Sequence, residues 1–401
     1  MSFSFKHLRC FFALFLALLL LLSITMQASA SSLQAALFRD RQTFTLLAES
    51  TTDQAPPPTV SAASYALLDP ISGHLLAEKD AHTRRPMAST TKIMTALVVL
   101  EHCDPEETVT VPPAAVGIEG SSIYLYAGEQ ISVRTLLYAL LLASANDAAA
   151  ALAYHVAGGI AEFAALMNEK AAALMLTDTH FCNPHGLHEE EHYTTAADLA
   201  LLTAAALQDP TLAEIVATKR YSAPQQGTDA NRLFRNHNRL LHSFEGAIGV
   251  KTGFTKRSGR CLVSAASREG LTLIAVTLNA PNDWQDHTAL LEWGFASYIA
   301  VSLSPLPPTL PVVGGTENAV KICAKDRSQL TLPASHPEIT CTVELPRFLY
   351  AGFAPNTVVG RAVYRMGDAI LAEMPLYTAD GIPSVRQHAT LWERVKNLFQ
   401  R

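Results

Sequence analysis

Cysteine, charge and aromatic side chains are all scarce in this chain. Of 401 residues, six are cysteine, 16% are charged and 7% are aromatic. Six scattered cysteines do not make a disulfide framework. Cys10 precedes the first apolar run, which leaves an odd set: Cys103, Cys182, Cys261, Cys323 and Cys341. Cys323 and Cys341 share the tail region, so a bridge between them stays open. Cys182 and Cys261 lie in or beside apolar segments and read as buried, inert thiols. No long basic block exists, and 30 Lys and Arg stand against 36 Asp and Glu. That balance excludes nucleic acid as a partner.

The chain is long enough for more than one domain. Lys6 and Arg9, an apolar run from Phe11 to Leu22, and Ala28-Ser29-Ala30 read as a cleaved secretory leader over residues 1–30. Cleavage leaves 28 basic residues against the same 36 acidic ones, a net charge of −8. Residues 31–58 are polar and end in Pro56-Pro57-Pro58, which predicts a linker. Apolar runs around Asp69-Pro70-Ile71-Ser72-Gly73 predict a hairpin. Helical periodicity covers 89–102, 132–158, 161–176 and 194–207. Strand patterns return at "GVKTGF", "CLVSAAS" and "LTLIAVTLN", and a helical pattern closes the domain near residue 299. The expected class is therefore α+β. One antiparallel sheet is built from both ends of residues 59–300 and covered by a helical insert. A Pro-rich boundary precedes a small β domain over 310–385. In the tail, 388–401, Leu391, Trp392, Val395, Leu398 and Phe399 share one helical face, with Arg394, Lys396 and Arg401 largely away from it. That pattern suits a helix lying in a membrane interface, and docking of its apolar face on the β domain is the alternative.

The stretch "PMASTTKIMTALVVL" places Ser89 and Lys92 three positions apart at the start of an apolar helix. Residues i and i+3 share a face. A serine hydroxyl attacks only when a base takes its proton. A lysine is such a base only when desolvation or a neighbouring cation lowers its pKa far below about 10.4. The helix is apolar almost all round, so burial is expected. Its N-terminus also offers backbone N–H groups to an oxyanion. The competing reading makes Ser89 a helix cap, as Thr90 and Thr91 also could be. Two further stretches bear on the choice. Ser144-Ala145-Asn146 lies between two helical runs, where a hydroxyl and an amide can enter a cleft. Lys251-Thr252-Gly253 lies in a strand, where Gly253 admits a close backbone approach and the strand edge could take an extended peptide.

Ser-x-x-Lys, Ser-x-Asn and Lys-Thr-Gly in this order resemble the penicillin-binding proteins and serine β-lactamases. The longer stretches "MASTTKIMTAL", "LLLASANDAAAALA", "FCNPHGL", "NHNRLL" and "GAIGVKTGFTKRSGRCLVSAASREG" are similar to the low-molecular-mass D-alanyl-D-alanine carboxypeptidases, serine peptidase family S11. The resemblance implies a serine enzyme without a cofactor or metal. Its substrates would be peptidoglycan stem peptides ending in D-Ala-D-Ala, and β-lactams would acylate it. Ser89 would attack the carbonyl and Lys92 would accept its proton. Ser144 would relay a proton to the leaving amine, and Asn146 would hold substrate and Lys92. Lys251, Thr252 and Gly253 would bind the substrate, with its terminal carboxylate on Lys251 and Thr252. The backbone N–H groups of Ser89 and Phe254 would form the oxyanion hole. The enzyme would work on the outer face of the cytoplasmic membrane, tethered by its tail.

Three rival readings are weighed. His188-Glu189-Glu190-Glu191-His192 matches the zinc-protease string, but it sits between a Pro-Gly segment and the next helix cap, without a helix to align its ligands. A class A β-lactamase carries its deacylating glutamate in Glu-x-x-Leu-Asn, and Glu162 and Glu169 lack that context. A non-catalytic peptidoglycan binder would not need all three motifs intact. Asn236 and Asn238 read as loop caps as readily as substrate contacts. His185 could line the cleft, with a structural hydrogen bond as the safer expectation.

Overall fold

A computed structural model describes residues 39–51, 55–303, 309–324 and 328–385. The leader at 1–30 and the amphipathic tail at 388–401 lie outside these described residues. The described chain divides into two compact units. One spans residues 52–301 with 330–334, and the other gathers the segments on either side.

The first unit is built on a five-stranded antiparallel sheet. Its order is Leu75–Lys79, Ser64–Leu68, Leu271–Leu278, Gly259–Arg268, Ala247–Thr255. Strands from both ends of the segment therefore meet at its centre, where Leu68 pairs with Ile274 and Tyr65 with Thr277. The strands Ser64–Leu68 and Leu271–Leu278 are buried along almost their whole length. Alternation explains how. Leu67, Leu273 and Ala275 join Leu290 and Leu291 of the helix Asp283–Ser297. Leu68, Ile274 and Val276 join Leu199 and Leu202 of the helix Ala196–Ala206. Helices thus cover both faces, where the sequence predicted one covering insert.

Local signals set most element ends. The Asp69 carboxylate accepts the Ile71 N–H at 3.0 Å and the Ser72 hydroxyl at 2.6 Å, which closes the predicted hairpin turn. The Thr195 hydroxyl accepts the Asp198 N–H at 3.0 Å and caps the helix that follows. The periodic stretch 132–158 is not one helix. It runs as Val133–Leu142 and Asn146–Ala157, broken at Ser144, whose φ of 60° is left-handed. The predicted helix over 89–102 likewise opens as a 3-10 turn, Ala88–Thr91, before the helix Lys92–His102.

The second unit holds a seven-stranded sheet in the order Arg39–Leu47, Ile339–Pro346, Val358–Met366, Ala369–Thr378, Ala319–Ala324, Thr309–Val313, Leu349–Tyr350. This corrects the linker reading of 31–58 at residues 39–47. Arg39–Leu47 is an edge strand, with Phe44 opposite Cys341 and Thr43 opposite Thr342. Arg41 to Thr45 are all exposed, so the strand resembles a linker when only polarity is read. Cys323 and Cys341 are both free thiols, so the bridge left open by the sequence does not form.

Candidate active site

The 3-10 turn that presents Ser89 is held from several sides. Ala88 adopts φ 49°, a costly conformation for a residue with a Cβ. Its carbonyl accepts the Thr91 hydroxyl at 2.8 Å. Thr91 Oγ1 in turn lies 2.8 Å from His192 Nε2, and His192 Nδ1 accepts the Cys182 N–H at 3.0 Å. With Nδ1 accepting, Nε2 carries the proton and donates to Thr91. Burial, followed by the neighbouring His185, pushes the His192 pKa down to about 3, so the ring stays neutral. His192 therefore spends one nitrogen on the turn and the other on the Cys182 backbone. The segment from His188 to His192 is irregular and lacks the helix a zinc-protease site needs. Gly186, at φ 86°, packs beneath. A Cβ there would meet the Ala88 carbonyl oxygen at 2.0 Å.

None of the three hydroxyls caps the helix. Thr90 and Thr91 bond back to the carbonyls of Met87 and Ala88, at 2.6 and 2.8 Å. Ser89 is left to face Lys92, with Oγ 2.9 Å from Nζ. Lys92 is fully buried. Its Nζ also donates to Asn146 Oδ1 at 2.7 Å and to the His185 carbonyl at 2.6 Å. All three partners are uncharged. Burial, then repulsion by Lys251, holds the Lys92 pKa well below the ordinary lysine value. A neutral amine has two N–H groups and one lone pair. With the N–H groups on Asn146 and His185, the lone pair points at Ser89 Oγ and accepts its proton.

Asn146 is fixed as well. Its Nδ2 donates to the Glu119 carbonyl at 2.5 Å, and its backbone N–H to the Ser121 carbonyl at 2.7 Å. The adjoining Asp147 carboxylate accepts from the Ser122 hydroxyl at 2.6 Å and from the Leu125 N–H at 3.1 Å. That carboxylate is thus committed to the loop and does not pair with Lys92. Ser144 sits at the helix break, nearly buried, and lines the same cleft as Ser89.

The opposite wall is the edge strand Ala247–Thr255. A Cβ on Gly253 would lie 3.1 Å from both the Met87 carbonyl oxygen and the Ser89 nitrogen, so glycine lets this strand reach the nucleophile's turn. Thr252, Gly253 and Phe254 line the cleft, and Phe254 is largely exposed. Lys251, one residue earlier in the strand, is buried behind this wall. Its Nζ donates to the Thr252 carbonyl at 2.8 Å, and burial lowers its pKa to about 7. The strand's alternation therefore separates a hydroxyl on the cleft from a cation beneath it.

The cleft, about 620 Å³, gathers every predicted side chain except the two lysines, which sit under its floor and wall, and Asn146, which lies behind its floor. It also brings in residues to which the sequence assigned no role: Ser121, Arg235, His237, Arg239, Arg260 and Trp284. Asn236 and Asn238 serve the loop. Asn236 Nδ2 donates to the carbonyls of Val216 and Thr218, both at 3.0 Å. Asn238 Oδ1 accepts the Leu240 N–H at 3.0 Å. For His185, the useful group is its backbone carbonyl. Its ring is pushed to a pKa of about 4 by burial and then by Lys92.

Residues 49–282 match the family model described as D-alanyl-D-alanine carboxypeptidase, Peptidase S11. The chain is 31% identical to the D-alanyl-D-alanine carboxypeptidase DacC of Escherichia coli, over 86% of this chain and 90% of that one. It is 29% identical to DacF of Bacillus subtilis, over 79% and 84%. Among solved structures it resembles penicillin binding protein 5 from Haemophilus influenzae, with a TM-score of 0.65 and 28% identity over 82% of this chain and all of that one. The Streptomyces K15 DD-transpeptidase matches 60% of this chain and 100% of its own, with a TM-score of 0.57 and 35% identity.

Proposed function

The chain belongs to the D-alanyl-D-alanine carboxypeptidase family, S11, and from that premise we propose how its cleft performs the family's reaction. It is a serine-type D-Ala-D-Ala carboxypeptidase that acts on peptidoglycan peptides and binds β-lactams. The roles below rest on the geometry of the cleft.

Ser89 Oγ attacks the carbonyl between the two terminal D-alanines, and its proton passes to the neutral Lys92 amine. The observation that carries this reading is the set of three contacts around Lys92 Nζ: two uncharged carbonyl acceptors and one hydroxyl, in a site that disfavours the ammonium form. Backbone N–H groups of Ser89 and Phe254 receive the developing oxyanion, which the close approach of Gly253 to the Ser89 turn supports. Ser144 relays the proton to the leaving amine. Thr252, on the cleft, and the positive charge of Lys251 behind it receive the terminal carboxylate. The edge position of the strand Ala247–Thr255 supports docking of the extended peptide along it. Water then cleaves the ester and regenerates Ser89.

The enzyme acts outside the cytoplasm, on the cell wall. The one-faced pattern of Leu391, Trp392, Val395, Leu398 and Phe399 supports a tether to the outer face of the cytoplasmic membrane by the tail. The test of the reaction is D-alanine release from a pentapeptide, with the penicillin adduct mapped on the same sample. The adduct is expected on the peptide that contains Ser89, together with loss of D-alanine release. An adduct elsewhere, or release that persists in Ser89→Ala, would overturn the assignment.

A further inference from the structure

The helices that carry Lys92 and Asn146 at their first residues come together again at their far ends. Helix Lys92–His102 stops at Cys103, and His155 lies in the last turn of Asn146–Ala157. Glu107 immediately precedes the short strand Thr108–Thr110. One ligand atom from each of Cys103, Glu107 and His155 lies within 4.8 Å of the other two. The carboxylate is already oriented. Glu107 Oε1 accepts the Asp104 N–H at 2.7 Å, while Oε2 faces His155 Nε2 at 3.3 Å. Cys103 is a free, half-buried thiol. Two helix C-termini also direct their partial negative charge toward this corner, which favours a cation.

The donor types narrow the ion. Magnesium and calcium take oxygen ligands, whereas a thiolate, an imidazole and one carboxylate suit zinc and related borderline-soft ions. We propose that Cys103, Glu107 and His155 form a binding site for a zinc-class divalent cation, with water in the fourth position. On binding, Cys103 Sγ bonds the ion and its proton leaves to solvent. The helix Lys92–His102 has 11 residues, which sets this corner about 16 Å from Lys92. An ion there touches no substrate. It staples the far ends of the two helices whose near ends join through the Lys92–Asn146 hydrogen bond. An ion pair between Glu107 and His155 alone would give Cys103 no part in the cluster, and that is where the two explanations separate.

The test uses the full chain with cobalt(II) as the spectroscopic probe, followed by zinc. One equivalent of cobalt is expected to produce a thiolate-to-metal absorption band that zinc displaces. The band is absent in Cys103→Ser and retained in Cys182→Ser. Zinc affinity falls at least about tenfold in Cys103→Ser and in His155→Ala. Zinc raises the Tm of the wild type and leaves that of Cys103→Ser unchanged. Penicillin labelling of Ser89 in each variant reports that it is folded, so a variant that labels but does not bind metal reads the site alone. A missing thiolate band in the wild type, or an undiminished band in Cys103→Ser, would overturn the proposal.

Discussion

Two buried clusters in the first unit handle charge in opposite ways. At one, Arg232 meets Glu129 with both side chains almost wholly buried, donating from Nη1 to Oε1 and from Nη2 to Oε2, the second at 3.1 Å. At the other, Lys92 and Lys251 are buried without a carboxylate. Lys92 has only a hydroxyl, an amide and a carbonyl for company, and Lys251 has a carbonyl. A buried charge that is paired stays charged and supports the fold. A buried amine that is not paired holds its proton weakly: Lys92 becomes a base, while Lys251, at about 7, carries the charge when a carboxylate faces it. The same physical cost of desolvation therefore yields a strut at one place and a catalyst at the other.

Substitutions can break this comparison from each side. Lys92→Met is expected to lower the rate of Ser89 acylation by about a thousandfold, the scale of losing a positioned base. Its Tm should move far less than that of a variant at the paired cluster. Stopped-flow labelling with a fluorescent penicillin and a thermal melt measure both effects. Retained acylation would remove Lys92 from the reaction. Glu129→Gln should do the reverse. It leaves the Arg232 guanidinium buried and uncompensated, at a cost of about 3–5 kcal/mol in denaturant unfolding. Folded molecules should still acylate at the wild-type rate. A stability loss below about 1 kcal/mol would mean that the pair is solvated and the comparison false.

A smaller effect sharpens the same contrast. Lys251 titrates near 7 in the fold and near 10.5 when unfolded. Between those values the unfolded chain holds the proton and the folded chain does not, so stability rises as pH rises from about 7 toward 10.5. Below that window both states are protonated and the slope from this group vanishes. Lys92, with its pKa also lowered, adds a slope of the same sign. Unfolding free energy measured across this range should climb in the wild type and climb less in Lys251→Met. Equal slopes in the two proteins would mean that the Lys251 amine is not desolvated.

The reacting pair was legible in the sequence because it is local. Ser89 and Lys92 are three residues apart on one turn, and an all-apolar helix announces burial of whatever begins it. That the sheet draws on both ends of the segment was also legible, since strand patterns stood there and helical ones between, whereas its strand order was not. The neutral company of Lys92 was less accessible. Asn146 and the His185 carbonyl come from 54 and 93 positions away, and a backbone carbonyl has no sequence signature. The role of His192 was hidden behind a zinc-like string, because that string records residue types and not the Thr91 hydroxyl 101 positions distant. Arg39–Leu47 was misread for a different reason. An edge strand exposed from Arg41 to Thr45 has the polarity of a linker, and only its partner Ile339–Pro346 distinguishes the two.

The central claim is that an unpaired, buried Lys92 is the base for Ser89. The most direct measurement is the rate of Ser89 acylation by penicillin as a function of pH. The rate should rise with pH along a limb whose midpoint lies well below 10.5, following the lowered Lys92 pKa, and this limb should disappear in Lys92→Met. A midpoint near 10.5, or the same limb in the variant, would contradict the account.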